Sequence, residues 1–166
     1  YFRHLQNYSD IKMTQLKSNT NPLKIAIIGS RGYPYVYSGY ETLIRELSER
    51  LVEKGCEVTV YCHRSLFKEK PAHVNGIKLV YMPTIETKSL SQFIHSFLSM
   101  CHAVVSDADV VFAVNAANGP FGLISKIFRK PTAINVDGLE WLRPKWKGLG
   151  ARYFKIAAWL STILFD

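Results

Sequence analysis

Along the chain, short apolar runs alternate with segments whose apolar residues recur every three or four positions. Lys24-Ile25-Ala26-Ile27-Ile28-Gly29 is such a run, the pattern of a strand buried on both faces of a parallel sheet. Tyr40, Leu43, Ile44, Leu47 and Leu51 then follow helical spacing, with Lys54-Gly55 as the stop, a basic residue and a C-cap glycine. Val58 to Cys62 is a second strand, which makes a right-handed βαβ crossover. Ile77 to Tyr81 reads as a strand after the Asn75-Gly76 turn. Leu90, Phe93, Ile94, Phe97, Leu98, Cys101 and Val104 mark one face of a helix, followed by a strand over Asp109 to Val114. A short helix over Gly122 to Phe128, a fifth strand over Thr132 to Val136 and a final helix over Ala151 to Leu164 complete the pattern. Strands alternating with helices predict an α/β fold: a doubly wound, mainly parallel Rossmann-like sheet with helices on both faces, over residues 23–166. Residues 1–22 read as a polar, poorly ordered extension, and Met13 is the first methionine.

The length of 166 residues allows one domain of ordinary size. Apolar types at 48% and charged types at 20% are a globular composition, neither disordered nor fibrous. Cys56, Cys62 and Cys101 form neither a disulfide framework nor a C-x-x-C zinc pair, so a reducing, cytoplasmic setting is expected and no metal. No stretch reaches the ~18–20 apolar residues of a spanning helix. The formal charge of +8 implies either a solvated basic surface or attraction to anions such as nucleotide phosphates or anionic lipid. No nucleic-acid motif accompanies it, so nucleic acid is not expected as a partner.

Ligands of such folds sit beyond the carboxyl ends of the strands. That rule selects Gly29 to Glu41, Cys62 to Arg64, Asn115 to Gly119, and Asp137 to Trp141. In the first loop Gly32 and Gly39 permit positive φ and close backbone approach, and Ser38 or Gly39 can cap the next helix, whose free N–H groups suit a phosphate. Arg31 and Pro34 stand where a dinucleotide fingerprint needs glycine, and no Gly-Lys-Ser/Thr follows. The second strand ends in Cys62-His63-Arg64, without the acidic residue that binds an NAD ribose; Arg64 is a candidate contact for a 2′-phosphate and His63 a candidate ligand contact. Asn115 and Asn118, among small residues, suit hydroxyl groups or plain turn chemistry. Asp137 at the fifth strand tip is placed to accept or orient a hydroxyl, with Glu140 three residues on and Trp141 as an apolar platform. Glu41 and Glu49 share a helix, Glu49 expected on its solvent face.

The segments I-A-I-I-G-S-R-G-Y-P-Y-V-Y-S-G-Y-E (Ile25 to Glu41), E-V-T-V-Y-C-H-R (Glu57 to Arg64) and N-V-D-G-L-E-W (Asn135 to Trp141) together resemble the amino-terminal half of GT-B glycosyltransferases. The resemblance is to the rhamnosyltransferase-like amino-terminal domain of retaining family-4 enzymes and covers about residues 23–166. It implies one of two Rossmann-like domains, this one holding the acceptor, with its glycine loop near the donor diphosphate. Many members carry a His after the fifth strand; here Asp137 stands there, which shifts any role to carboxylate hydrogen bonding.

On that resemblance, a sugar passes from a nucleotide-sugar donor to a saccharide or lipid-linked acceptor in bacterial polysaccharide assembly, without a further cofactor. Asp137 and Glu140 are the expected catalytic carboxylates. Gly32, Ser38, Gly39, Glu41, His63, Arg64, Asn115 and Asn118 are the expected substrate-binding positions. The donor-binding half is absent from the sequence, so the chain alone is expected to be an inactive fragment. Two other classes compete: an NADP-binding oxidoreductase domain and a non-catalytic partner subunit. Between Trp141 and Phe165, basic residues interleave with Trp146, Tyr153, Phe154 and Trp159, a pattern suited to the inner face of a membrane; packing on the sheet is its alternative.

Overall fold

The computed structural model describes residues 21–34, 39–85, 87, 90–136, 138–144 and 146–166. Six strands form one sheet: β1 (Lys24–Ile28), β2 (Glu57–His63), β3 (His73–Val74), β4 (Ile77–Met82), β5 (Val110–Val114) and β6 (Thr132–Asn135). The helices are α1 (Gly39–Glu53), α2 (Leu90–Val105), α3 (Gly122–Ile127) and α4 (Leu149–Leu164), with 3-10 turns at Arg64–Leu66, Ala116–Phe121 and Glu140–Leu142. The order across the sheet is β3-β4-β2-β1-β5-β6, parallel at every pairing except β3 with β4. The fold is therefore the expected doubly wound, Rossmann-like α/β sheet.

β1 sits at the centre and is buried on both sides. Ala26 and Ile28 face one core with Tyr61, Val111 and Ala113, beneath Met100 and Ala103 of α2. Ile27 faces the other with Val58, Val60 and Val114, beneath Ile44 of α1. This explains why β1 reads as an unbroken apolar run rather than an alternating one.

The sheet carries one strand more than the five that periodicity predicts. Two-residue β3 is too short to show a period. It pairs with β4 through a turn in which Asn75 (φ 51°) and Gly76 (φ 78°) both lie left-handed, the type I′ geometry that Asn-Gly favours. The turn also holds a bridge: Asn75 Nδ2 donates to Tyr33 Oη (2.8 Å), and Tyr33 Oη donates to Glu49 Oε1 (2.6 Å). Glu49 is thus half-buried and partnered, not turned to solvent as expected.

The larger departure concerns α2. Its predicted apolar face is only partly its buried face, Val104 being buried and Ile94, Leu98 and Cys101 half-buried. Leu90, Phe93 and Phe97 are exposed, whereas His95, Ser96, Ser99, Met100, Ala103 and Val104 are buried. Small side chains let the helix lie close to the sheet, and the phenyl rings pack sideways instead, Phe93 edge-on against Phe121 at 4.9 Å and Phe97 at 5.8 Å. His95 is fully buried, stacked on His63 at 5.1 Å, and neither ring nitrogen has a hydrogen-bond partner among the described residues. Burial first, and then the neighbouring His63 ring, lower its pKa from 6.5 to about 4, against a smaller upward influence of the Cys62 backbone.

α4 packs by its Phe154, Ala157 and Ser161 face onto the 3-10 turn after β5. The approach is close enough to require glycine. A Cβ on Gly119 would run into the Ala157 carbonyl oxygen and lie 2.7 Å from Ser161 Oγ, and one on Gly122 would lie 2.6 Å from the Phe165 ring. The opposite face of α4 carries a second apolar stripe: Leu149, Ile156, Trp159 and Ile163 are all at least half exposed. Phe154 and Ala157 thus pack inward, as the packing reading expects, while Ile156 and Ile163 face out.

Two stability outcomes follow from this packing. Gly119→Ala should cost about 2 kcal/mol or more by overpacking, whereas Gly39→Ala, whose Cβ would meet nothing within 4 Å, should stay within about 0.5 kcal/mol of wild type. Urea unfolding of the two variants measures this, and equal effects would contradict it. His95 supplies a pH dependence. The unfolded chain protonates it below about 6.5, the folded chain only near 4, so stability should fall as pH falls through that window, by about 3 kcal/mol from this group. Unfolding curves between pH 7 and 4 should show a flatter pH dependence for His95→Leu; an unchanged slope would remove His95 as the cause.

Candidate functional site

The strand order reverses between β1 and β5, where the chain leaves β1 toward β2 on one side and β5 toward β6 on the other. A crevice opens beyond the carboxyl ends of strands at such a point. Its floor is tight. Gly29, at the tip of β1 with φ 96°, lies so close to β5 that a Cβ would stand 2.5 Å from both the Val114 carbonyl oxygen and Asn118 Nδ2. Asn118 is buried and donates through Nδ2 to the Val114 carbonyl (2.5 Å). Asn115 takes φ 79°, and its Oδ1 accepts from Ala117 N–H (2.9 Å), which starts the 3-10 turn. Its own N–H donates to the Asn135 carbonyl (2.9 Å), tying the β5 and β6 tips together.

Above this floor the cleft has two lobes with shared walls at Gly29, Gln92, Asn115, Trp146 and Phe154. The first, about 610 Å³, is the more polar of the two, with Arg31, Gly39, Glu41, Asn135, Glu140 and Arg143 on its sides. The second, about 480 Å³, is apolar, bordered by Leu90, Phe93, Ala117 and Tyr153. Tyr153 Oη donates to the Ala117 carbonyl (2.7 Å), and burial pushes its phenol up to about 12, so it stays a neutral donor. A smaller depression of about 240 Å³ lies at the other end of the sheet, between Lys24, Tyr61, Lys78 and His102. It sits at the amino ends of the strands, away from the crevice.

Of the positions expected from sequence, Gly39, Glu41, Asn115 and Glu140 meet in the polar lobe, and Asn118 borders the apolar one. Glu41 is buried and accepts from the Arg31 N–H (3.2 Å). Gly39 faces open space. Glu140 is buried with both oxygens engaged: Oε1 pairs with Arg143 Nε (2.9 Å) and Oε2 accepts from Trp146 Nε1 (3.0 Å). Gly32, His63 and Arg64 do not line the cleft. Gly32 (φ 128°) backs onto β2, where a Cβ would lie 2.8 Å from Cys62 Sγ. His63 is buried, bonded through Nε2 to Ser91 Oγ (2.7 Å) and through Nδ1 to Ser65 Oγ (3.1 Å). Arg64 is exposed on the 3-10 turn after β2. Ser38 and Asp137 lie outside the described residues.

Sequence reasoning missed Gln92, Arg143 and Trp146. Gln92 reaches from the first turn of α2 to donate to the Gly29 carbonyl (3.1 Å) and to Ser96 Oγ (3.3 Å). No spacing signals it, because it stands between apolar positions of a helix far along the chain. The aromatic wall is Trp146, not Trp141, which is half-buried outside the cleft lining.

Comparison with known proteins places this geometry. The structure is similar to sucrose-phosphate synthase from Thermosynechococcus elongatus, with a TM-score of 0.59 at 14% identity, over 86% of this chain and 40% of that one. At that identity the likeness is one of fold. A Klebsiella pneumoniae protein described as an uncharacterized 42.6 kDa protein in the cps region is 34% identical over 61 residues, 37% of this chain and 16% of that protein. The chain thus spans less than half of either relative. The model of one family, the domain of unknown function DUF1972, matches residues 23–165, nearly the whole sequence, and the chain belongs to that family.

Proposed function

We propose that this domain is the acceptor-binding half of a glycosyltransferase, moving a sugar from a nucleotide-sugar donor to a saccharide or lipid-linked acceptor in polysaccharide assembly. The observation that carries this reading is the two-lobed cleft at the switch point, polar beside apolar, on a fold similar to part of a sucrose-phosphate synthase. The relative from a cps region adds a polysaccharide setting. A nicotinamide reading finds less support, since Arg64, its candidate phosphate contact, is not among the cleft-lining residues.

In this proposal the open space at Gly39 lets a diphosphate approach the start of α1, where the helix dipole favours anions. Charge on the leaving diphosphate needs fixed positive groups, and Arg31 lies on that side of the cleft. Asn115, just after β5, orients hydroxyls, and Asp137, two residues beyond β6 in the sequence, is assigned the same role. Saturation-transfer NMR of the protein with a panel of methyl glycosides and short oligosaccharides tests the acceptor role. Saturable binding is expected, and Asp137→Asn should weaken it about tenfold, the worth of one charge-assisted hydrogen bond. Absence of binding to every saccharide would overturn the reading; binding untouched by Asp137→Asn would remove that residue from it.

The proposal extends to the inner face of a membrane. α2, α3 and α4 contain no Asp or Glu, and the outer stripe of α4 sets Ile156, Trp159 and Ile163 beside Arg152 and Lys155. Among the described residues no helix is long and apolar enough to cross a membrane. Surface attachment needs only this face, with each basic residue near anionic lipid contributing about 1 kcal/mol. Flotation should show binding to vesicles of anionic lipid that salt weakens and that Trp159→Ser with Arg152→Ser abolishes. Equal binding to neutral vesicles, or none to either, would contradict it.

A further inference from the structure

Trp146 stands where the two lobes of the cleft meet and walls both. Three separate contacts hold it. Its Nε1–H donates to Glu140 Oε2 (3.0 Å), its ring packs on Phe154 with centroids 4.6 Å apart, and Gly150 leaves room for it: a Cβ there would come within 3.0 Å of Cε3. Glu140 is itself fixed, 4% exposed and paired with Arg143 Nε at 2.9 Å. A half-buried indole at a cleft would ordinarily choose among rotamers; here the orientation is settled before any ligand arrives. Side chains with amide or carboxylate groups surround it in the polar lobe, namely Gln92, Asn115, Asn135 and Glu41.

A pyranose ring has one face of C–H bonds and a rim of hydroxyls. An immobilised indole covers the first without desolvating a polar group, and amides and carboxylates satisfy the second. We infer that Trp146 is the platform on which the saccharide ring stacks, and that Glu140 acts through it as a positioning residue. This rests on the acceptor-binding reading above and makes it more specific. It also reassigns Glu140, expected as a catalytic carboxylate, to a positioning role, since its two oxygens already hold donors. A nucleobase is the competing flat ligand, but it offers no hydroxyl rim for the surrounding groups.

The chain has three tryptophans, so three indole N–H signals appear in a nitrogen-proton NMR spectrum, assignable by Trp141→Phe and Trp159→Phe. Titration of the wild-type protein with methyl glucoside, methyl mannoside and methyl rhamnoside should move the Trp146 signal saturably with at least one sugar, leaving those of Trp141 and Trp159 in place. Trp146→Ala should weaken that sugar's binding about tenfold or more, and Trp146→Phe, which keeps a ring, by less. Glu140→Ala should weaken it comparably while Glu140→Gln, which keeps an acceptor for Nε1–H, restores most of the affinity. Because Trp146→Ala can disturb packing on Phe154, the wild-type signal shift serves as the measurement that needs no variant. Saccharide binding that leaves the Trp146 signal unmoved, or that survives Trp146→Ala in a folded protein, overturns the platform while the acceptor role stands. A Trp146 signal that answers to uridine and to no sugar overturns both, as does binding to nothing at all.

Discussion

The arrangement of the whole cleft depends on one close approach, the meeting of the β1 tip with the β5 tip at Gly29. With no side chain there, the Gly29 Cα can sit against the Val114 carbonyl and Asn118, distances at which any Cβ would collide. Asn118 fills the contact with a hydrogen bond that would otherwise leave a strand-end carbonyl buried and unpaired. The 3-10 turn that carries Asn118 then starts in register, and its next residue, Gly119, receives α4. A change at Gly29 would therefore propagate to three walls of the cleft at once.

The polar and apolar lobes are consequences of what that approach brings together. α4 is seated through Gly119 and Gly122, which places Tyr153 and Phe154 beside the β5 tip. In the loop leading into α4, Glu140 holds both Arg143 and Trp146. From the other side, Gln92 crosses from α2 to hold the Gly29 carbonyl. Residues from β1, α1, α2, β5, β6 and α4 thus converge on a volume that none of them defines alone. The site is rigid where it is paired and open where Gly39 leaves space.

The order of strands and helices was legible in the chain because each element carries its own period. β1 and β5 are unbroken apolar runs, α1 repeats every three or four residues and stops at Gly55 (φ 84°), and the Asn75-Gly76 turn adopts the geometry its residues favour. The strand-tip rule then pointed to the end of the sheet where the cleft opens, and to four of the residues that border its polar lobe. Less was legible where side chains answer to partners remote in sequence. The outward Phe93 and Phe97 look like core positions until Phe121 is seen beside them, and Glu49 looks solvated until Tyr33 is seen to donate to it.

By itself, then, the sequence determined the fold class, the direction of the sheet and the end of it where the cleft opens, since these follow from periodicity and from where glycine and asparagine interrupt it. Tertiary structure alone decided which residues share the cleft. Trp146 rather than Trp141 borders it, Gly32 and His63 pack behind it, and Glu140 is a clamp with both oxygens taken. The physical reason is range. A helix or strand is set by neighbours a few positions away, whereas burial, pairing and orientation at the cleft are set by contacts such as Gly29 with Asn118 and Gln92, whose cause lies in the packing of the sheet and not in the local chain.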